Sequence, residues 1–206
     1  AWSITPGLRA EHYKLDASQN GFAPKVANNS DSAVSPKLGV LFQASEQWSV
    51  YGNYAAGFRA PNAGQVNAFF ENPNAYYRSI PNPDLKPEKS KTFEIGVRGR
   101  VDGFTFDAAA FTGRFTDFIQ DQVLVSGQYG NPANWATFQS INIDRVRISG
   151  FEVKGEYDWG CYAGGRFITN AAYGYTDGKE TNTNKPLDTI SPQQLVLGVR
   201  YERKEV

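Results

Sequence analysis

Apolar and polar residues alternate along most of this chain with a period of two residues. In the segment 90–101 the residues of one parity are apolar: Phe93, Ile95, Val97 and Val101. The residues of the other parity are mostly polar: Thr92, Glu94, Arg98 and Arg100. The segment 148–159 repeats the pattern, and four consecutive residues of its polar side are charged: Glu152, Lys154, Glu156 and Asp158. A period of two is typical of a β-strand with one apolar and one polar face.

The same alternation predicts about eight strands. They are the segments 2–13, 35–45, 48–57, 90–101, 104–118, 148–159, 166–176 and 192–203. Each is long enough for the roughly 9 to 11 tilted residues with which a strand crosses a bilayer. Helical periodicity is weak, and no apolar run approaches the roughly 18 residues of a spanning helix. The sequence therefore predicts an all-β fold.

The connections between these strands alternate in length. Three are tight turns, at residues 46–47, 102–103 and 160–165. Four are long, polar and rich in Asn, Gly and Pro, at residues 15–33, 59–89, 119–144 and 177–191. In an antiparallel meander this alternation places every long loop at one end, as in outer-membrane barrels. A soluble β-sandwich with its long loops at one end is the alternative.

The two faces of the strands have different meanings in these two folds. In a soluble protein the apolar face would form the core, whereas in a membrane barrel it meets lipid and the polar face lines the lumen. The barrel interpretation directs nine charged side chains inward: Arg9, Glu11, Glu94, Arg98, Arg100, Glu152, Lys154, Glu156 and Asp158. It also assigns the aromatic residues near strand ends to interfacial girdles: Trp2, Tyr13, Trp48, Phe104, Tyr157, Trp159 and Tyr201. We favour an antiparallel transmembrane β-barrel in contact with outer-membrane lipid.

Composition excludes several other classes. Lysine plus arginine and aspartate plus glutamate are equal at 21 each, so there is no basic excess for nucleic acid. Cys161 is the one cysteine, which excludes an internal disulfide. We find no Ser/His/Asp set, no His/Cys cluster with metal-ligand spacing and no phosphate-binding glycine loop. The sequence predicts neither an enzyme nor an intrinsic cofactor.

Two motifs flank the longest connection, GFRAP at 57–61 and NPDLKPEKS at 82–90, with the strand TFEIG following at 92–96. In these motifs the chain resembles the TonB-dependent outer-membrane receptors, and within them the branch that takes up haem and haemoproteins. The second motif is shared with siderophore and cobalamin receptors, whereas the first is closer to haem receptors. Weaker matches are TPGLR at 5–9 and ISGFE at 148–152.

The resemblance implies a barrel of about 22 strands with a plug in its lumen, in the outer membrane of a Gram-negative bacterium. We expect residues 1–206 to be part of such a barrel domain, without the plug and the remaining strands. Energy for transport would come from the TonB–ExbB–ExbD complex acting on the plug. Because unpaired strand edges are costly in lipid, the chain alone is expected not to insert stably. A closed eight-stranded barrel with a structural or adhesive role is the alternative.

By resemblance, the cargo is haem, or iron from haemoproteins. Haem receptors commonly have an iron-ligating histidine between the two motifs, but the segment 62–81 contains none, so a ferric siderophore remains an alternative. The one histidine, His12, shares the parity of Leu8 and Ala10 and is expected on the lipid face. Tyrosinate also ligates haem iron, so Tyr76 and Tyr77 are the candidate ligands in the loop.

Other residues of the same loop suit haem binding. Arg78 could pair with a propionate, and Phe69 and Phe70 could stack on a porphyrin. The resemblance adds further binding candidates from the two motifs: Phe58, Arg59, Pro61, Asn82 and Asp84. A second interpretation of the charged motif residues is structural, since Arg59, Asp84 and Glu88 could tie the loop to the barrel rim.

Overall fold

The computed structural model describes residues 1–18, 26–162 and 164–203. It contains eight long strands: β1 (Trp2–Leu15), β2 (Asn29–Gln43), β3 (Trp48–Arg59), β6 (Glu88–Val101), β7 (Phe104–Ser126), β8 (Ala136–Tyr162), β9 (Gly165–Glu180) and β10 (Gln193–Arg203). Between β3 and β6 lie one short helix and two short strands: α1 (Ala63–Asn67), β4 (Phe70–Asn72) and β5 (Tyr77–Ser79). The predicted all-β fold and its eight long strands are confirmed.

Each long strand pairs antiparallel with the next long strand along the chain. The turn between β6 and β7 consists of Asp102 and Gly103, both with positive φ, at 45° and 82°. Two such residues form the kind of hairpin turn whose twist matches that of the strands. The sheet is open, because β1 and β10 are not paired with each other in the described part of the chain. None of the described helices is long and apolar enough to cross a membrane.

Several strands continue into segments that we predicted as loops. β7 extends to Ser126 and β8 begins at Ala136, so the predicted loop 119–144 is wrong and the connection spans 127–135. The pairing of β7 with β8 shifts between Gln120 and Val123, and Gln122 has a φ of 55°. Such irregularities disturb the alternation of side chains by which a strand is recognised. β2 and β9 likewise reach further than predicted, to residues 29 and 180.

The apolar residues line up from strand to strand on one face of the sheet, called here the apolar face. One transverse row crosses all eight long strands: Trp2, Phe42, Val50, Val97, Ala108, Val153, Tyr173 and Leu195. Large members of the row are exposed, Trp2 by 70% and Leu195 by 64%. So extensive an apolar surface is incompatible with water and is typical of contact with lipid.

The opposite, polar face carries paired charges. Arg98 Nε lies 2.6 Å from Asp107 Oδ2, and the Tyr51 hydroxyl donates to the other carboxylate oxygen, Asp107 Oδ1, at 3.0 Å. Arg166 contacts Asp158 at 2.5 Å. Further ion pairs on this face are Arg9 with Glu11 and Lys154 with Glu152. The inward direction predicted for the charged residues agrees with this arrangement.

Six of the predicted girdle residues lie near the strand ends that carry the short turns: Trp2, Trp48, Phe104, Tyr157, Trp159 and Tyr201. The assignment of Tyr13 to a girdle is wrong. Tyr13 lies near the opposite end of β1, shares the parity of Arg9 and Glu11, and donates its hydroxyl to Asn29. An aromatic residue near a strand end can lie on either face, so its position along the strand is insufficient for the assignment.

Candidate ligand-binding loop

The loop between β3 and β6, residues 60–87 and called here the rim loop, is ordered by its own secondary structure. Helix α1 begins with a capping box, in which Asn62 Oδ1 accepts from the Gln65 amide at 2.9 Å and Gln65 Oε1 accepts from the Asn62 amide at 3.1 Å. Gln65 Nε2 also donates to the Asp121 carboxylate on β7. The polar composition of the predicted loop 59–89 did not predict this helix.

Beyond α1, the short strands β4 and β5 form a hairpin that joins the barrel wall. β5 pairs in parallel with β8, with Tyr77 opposite Ala136 and Ser79 opposite Phe138. The Ile80 amide extends the ladder by donating to the Phe138 carbonyl at 3.0 Å. Parallel pairing requires a long connection between the two strands, which the intervening β6 and β7 provide. The rim loop is thus hydrogen-bonded to the wall as an additional part of the sheet.

The rim loop and the two strand ends that carry it meet at residues 58–61 and 82–88, called here the root, which is held by an ion pair between a half-exposed and a buried side chain. Arg59 donates two hydrogen bonds to the Glu88 carboxylate, at 2.5 and 2.6 Å. Glu88 is only 7% exposed and also accepts from the Ile119 amide at 2.7 Å. These bonds to Glu88 raise the pKa of Arg59, which therefore stays cationic. Arg59 lies in the first motif and Glu88 in the second, so the pair joins the two motifs.

The second motif forms a turn that is fastened by hydrogen bonds. Asn82 Oδ1 accepts from the Asp84 amide at 3.1 Å, while Asn82 Nδ2 donates to the Ser140 carbonyl at 2.8 Å. Asn142 contacts both backbone groups of Lys86, at 2.8 and 2.9 Å. These contacts favour the structural interpretation of the second motif.

Apolar packing completes the root. Leu85 is 3% exposed and packs in a cluster with Val66 and Ile119. Pro61 is also buried, whereas the side chain of Asp84 is exposed and forms no ion pair in the part of the chain that the structure describes. Among the proposed motif candidates, Arg59, Pro61 and Asn82 are therefore engaged in the structure of the root. Phe58 is half-buried, with its ring 6.0 Å from that of Tyr13.

The tip of the rim loop, defined as residues 69–78, presents aromatic side chains. Phe69 and Phe70 are 38% and 52% exposed. The Tyr77 ring is stacked on Tyr129 at 5.5 Å, and it also contacts Phe70 at 5.7 Å and Phe138 at 6.3 Å. Sequence reasoning missed Tyr129 and Phe138, which belong to the β7–β8 hairpin. The parallel pairing of β5 with β8 brings them to the tip.

The two candidate ligands, Tyr76 and Tyr77, have different surroundings. The Tyr76 ring contacts Trp135 edge-on at 6.0 Å, and Arg78 Nε donates to the nearby Thr137 hydroxyl at 3.1 Å. A cavity of about 410 Å³ lies here, lined by Glu71, Arg78, Ser126, Ala133, Asn134, Trp135 and Thr137. Tyr77 contacts a separate set of rings. Arg78 and Trp135, which Tyr76 contacts, thus line the same cavity, whereas Tyr77 belongs to an aromatic surface.

His12 lies outside the rim loop. Its Nδ1 is 2.9 Å from the Ser32 hydroxyl, and Ser32 is the residue opposite it on β2. Within the described residues there is no group of three or more His, Cys, Asp or Glu side chains arranged to hold a metal ion. At the tip, Phe70 and Arg78 are exposed.

A protein-family model described as "TonB dependent receptor-like, beta-barrel" matches residues 1–205. The chain is 31% identical over 216 residues to a hemin receptor from Yersinia enterocolitica, covering 94% of this chain and 29% of that protein. It is 26% identical over 212 residues to a probable hemoglobin and hemoglobin-haptoglobin-binding protein from Haemophilus influenzae, covering 99% of this chain and 21% of that protein. The chain therefore spans less than a third of the length of these relatives.

Solved structures have the same fold. The copper transporter OprC matches with a TM-score of 0.70 at 21% identity, over 98% of this chain and 30% of that chain. The ferric enterobactin receptor PfeA matches with a TM-score of 0.64 at 22% identity, over 97% and 28%. The Serratia marcescens hemophore receptor HasR matches with a TM-score of 0.60 at 19% identity, over 85% and 30%. With a family model that covers nearly its whole length, this chain belongs to the TonB-dependent receptor β-barrel family.

Proposed function

We propose that this chain is part of an outer-membrane receptor that takes up haem, or iron from haemoproteins, with energy from the TonB–ExbB–ExbD complex. The observation that carries the proposal is the tip of the rim loop, where Phe69 and Phe70 are exposed and where Arg78 and Trp135 line a cavity. Flat aromatic surfaces suit a porphyrin, and a guanidinium suits its propionates. The names of the haemin and haemoglobin-binding relatives support the same cargo.

The orientation of the barrel follows from its connections. Outer-membrane barrels have short periplasmic turns and long extracellular loops. The rim loop lies at the end opposite the turn at Asp102 and Gly103, so it would face the outside of the cell. The complete receptor would close the sheet with further strands and carry a plug on which TonB acts. Haem is then cargo that passes through the receptor, and the polar face would contact the plug.

Within the tip we assign different roles to the two tyrosines. Tyr76 is a better iron ligand than Tyr77, because its ring contacts Trp135, which lines the same cavity as Arg78. Iron bound by Tyr76 and a propionate bound by Arg78 would therefore lie in one site. Tyr77 is packed among three rings and would provide a stacking surface together with Phe70. Phe69 would extend this surface.

A haem titration of the full-length receptor, followed by Soret absorbance, tests the proposal. Saturable binding is expected, with a band that shifts in Tyr76→Phe and stays unchanged in Tyr77→Phe. A shift in Tyr77→Phe alone would reverse the two roles. The absence of saturable binding would contradict haem as cargo. Since the rim loop has no histidine and PfeA is a ferric enterobactin receptor, a ferric siderophore is the second candidate.

A further inference from the structure

Tyr76, the proposed iron ligand, has a backbone conformation that is unusual for its residue type. Its φ is 51°, in the left-handed region, which crowds the Cβ atom of an L-residue. Among the described residues other than glycine, four more have a positive φ and none of them is aromatic: Asp102, Asp117, Gln122 and Asn184. The surroundings of Tyr76 must therefore hold it in this conformation, and such an outlier at a candidate site points to a role in function.

The residues before Tyr76 form a β-turn at the end of the β4–β5 hairpin. Asn72 pairs with Tyr77, so the hairpin loop consists of residues 73–76. The Ala75 amide donates to the Asn72 carbonyl at 3.2 Å, which is the hydrogen bond that closes a β-turn. Asparagine is favoured at the first position of such turns and proline at the second, and Asn72 and Pro73 occupy these positions. The local sequence therefore favours the turn that leads the chain into Tyr76.

The side chain of Asn72 holds this turn closed a second time. Its Oδ1 accepts from the Asn74 amide at 3.1 Å and from the Ala75 amide at 3.2 Å, and these are the two residues directly before Tyr76. On the other side, the Tyr76 carbonyl accepts from the amide of Ala136, a buried residue of β8, at 3.1 Å. Hydrogen bonds to the turn and to the barrel wall thus fix the backbone of Tyr76 from both sides.

The left-handed conformation determines where the Tyr76 phenol lies. In this conformation the Tyr76 ring contacts Trp135, which lines the same cavity as Arg78. Relaxation of φ from 51° to an ordinary value near −60° would rotate the Cα–Cβ bond by roughly 110° relative to the turn. The phenol would then leave Trp135, and the bond between the Tyr76 carbonyl and Ala136 would be strained. The direction of the proposed ligand therefore depends on the turn.

We propose that Asn72 is a positioning residue, which holds Tyr76 in the conformation that ligates haem iron. The inference rests on the proposed function, in which Tyr76 is the iron ligand. Asn72 acts through the backbone of Tyr76 and not by contact with the haem. Because its side chain keeps the turn closed before haem arrives, less conformational freedom is lost on binding. Without that side chain, only the main-chain bond between Ala75 and Asn72 closes the turn, and Tyr76 relaxes away from Trp135.

Titration of the full-length receptor with ferric haem tests this role, with the affinity and the absorption band of iron-bound tyrosinate as readouts. Asn72→Ala removes two hydrogen bonds and is expected to lower the affinity about tenfold. It should also weaken the tyrosinate band at saturating haem. Asn72→Asp keeps an oxygen acceptor for both amides and should restore both readouts. Asn74→Ala is the matched control in the same turn, because the Asn74 side chain forms no hydrogen bond in the described part of the chain.

A double-mutant cycle separates positioning from a general structural role of Asn72. In a Tyr76→Phe background, Asn72→Ala should have little further effect on haem affinity, because the ligand that it positions is already absent. An equal tenfold loss in both backgrounds would overturn the proposal, as would a tyrosinate band of wild-type intensity in Asn72→Ala. The absence of saturable haem binding by the wild type would contradict the proposed function and this inference together. The two failures are therefore distinguishable by the behaviour of the wild type.

Discussion

The root and the tip of the rim loop are held by different kinds of contact. At the root, Glu88 is almost fully buried and accepts three hydrogen bonds, and Leu85 is buried in an apolar cluster. At the tip, Phe70 and Tyr129 are more than half exposed, and the contacts between rings leave their outer faces open. Motif residues can thus be distinctive because they build a scaffold, and the neighbouring residues that they position are the ones that we propose to contact the ligand.

The largest expected effect comes from breaking the root at Glu88. In Glu88→Ala the Arg59 guanidinium and the Ile119 amide both lose their acceptor. Removing one partner of a fully buried ion pair costs about 3 to 5 kcal/mol. The Arg59 side chain that remains is 49% exposed and can be hydrated, so together with the unsatisfied Ile119 amide we expect a loss of about 2 to 3 kcal/mol. Limited proteolysis of the folded receptor should show faster cleavage within the rim loop. Asp84→Ala is the control, and equal cleavage of both variants would contradict the structural role of Glu88.

A slightly smaller effect is expected from Leu85→Ala. The substitution leaves a cavity between Val66 and Ile119, and such truncations of buried leucines cost about 2 to 5 kcal/mol. Because a small cluster under a loop can close part of the cavity, we expect a cost of about 2 kcal/mol. The loss concerns the packing of the rim loop, so we expect increased hydrogen exchange at the amides of α1 and little change in β9. Unchanged exchange in α1 would mean that the cluster does not stabilise the loop.

At the tip, Tyr77→Ala should affect the tip and its ligand binding but not the root. The substitution removes three ring contacts, each worth about 0.5 to 1.5 kcal/mol in favourable geometry. Haem affinity should decrease about tenfold, while proteolysis at the root remains as in the wild type. If cleavage at the root instead increases as much as in Glu88→Ala, root and tip form a single structural unit.

The smallest effect on stability is expected from Tyr76→Phe. The Tyr76 hydroxyl has no hydrogen bond within the described residues, and the ring contact with Trp135 is preserved in phenylalanine. The free energy of unfolding should change by less than about 0.5 kcal/mol, while the Soret band of bound haem shifts. Tyr129→Phe is the matched control, and a shift of the same size in that variant would contradict ligation by Tyr76.

Much of the fold follows from the sequence, and the candidate site follows less well. The strict alternation in Ser90–Val101 predicts β6 to within two residues, because every second side chain faces lipid. The same reasoning loses β7 after Asp117, where positive φ values at Asp117 and Gln122 interrupt the pattern. At the site, adjacent residues such as Tyr76 and Tyr77 are predictable candidates from their loop alone. Their neighbours Tyr129 and Trp135 are not, because they reach the tip through a parallel pairing of distant segments.

That parallel pairing also determines the order in which this part of the chain can fold. β5 pairs with β8, so Tyr77 lies opposite Ala136, which is 59 residues further along the chain and is synthesised later. Contacts between distant segments form late, because the entropy of closing the intervening chain must be overcome first. The hairpins of the wall are local and can form earlier. The rim loop therefore folds late, and the proposed ligand-binding surface is assembled only after the wall that supports it has formed.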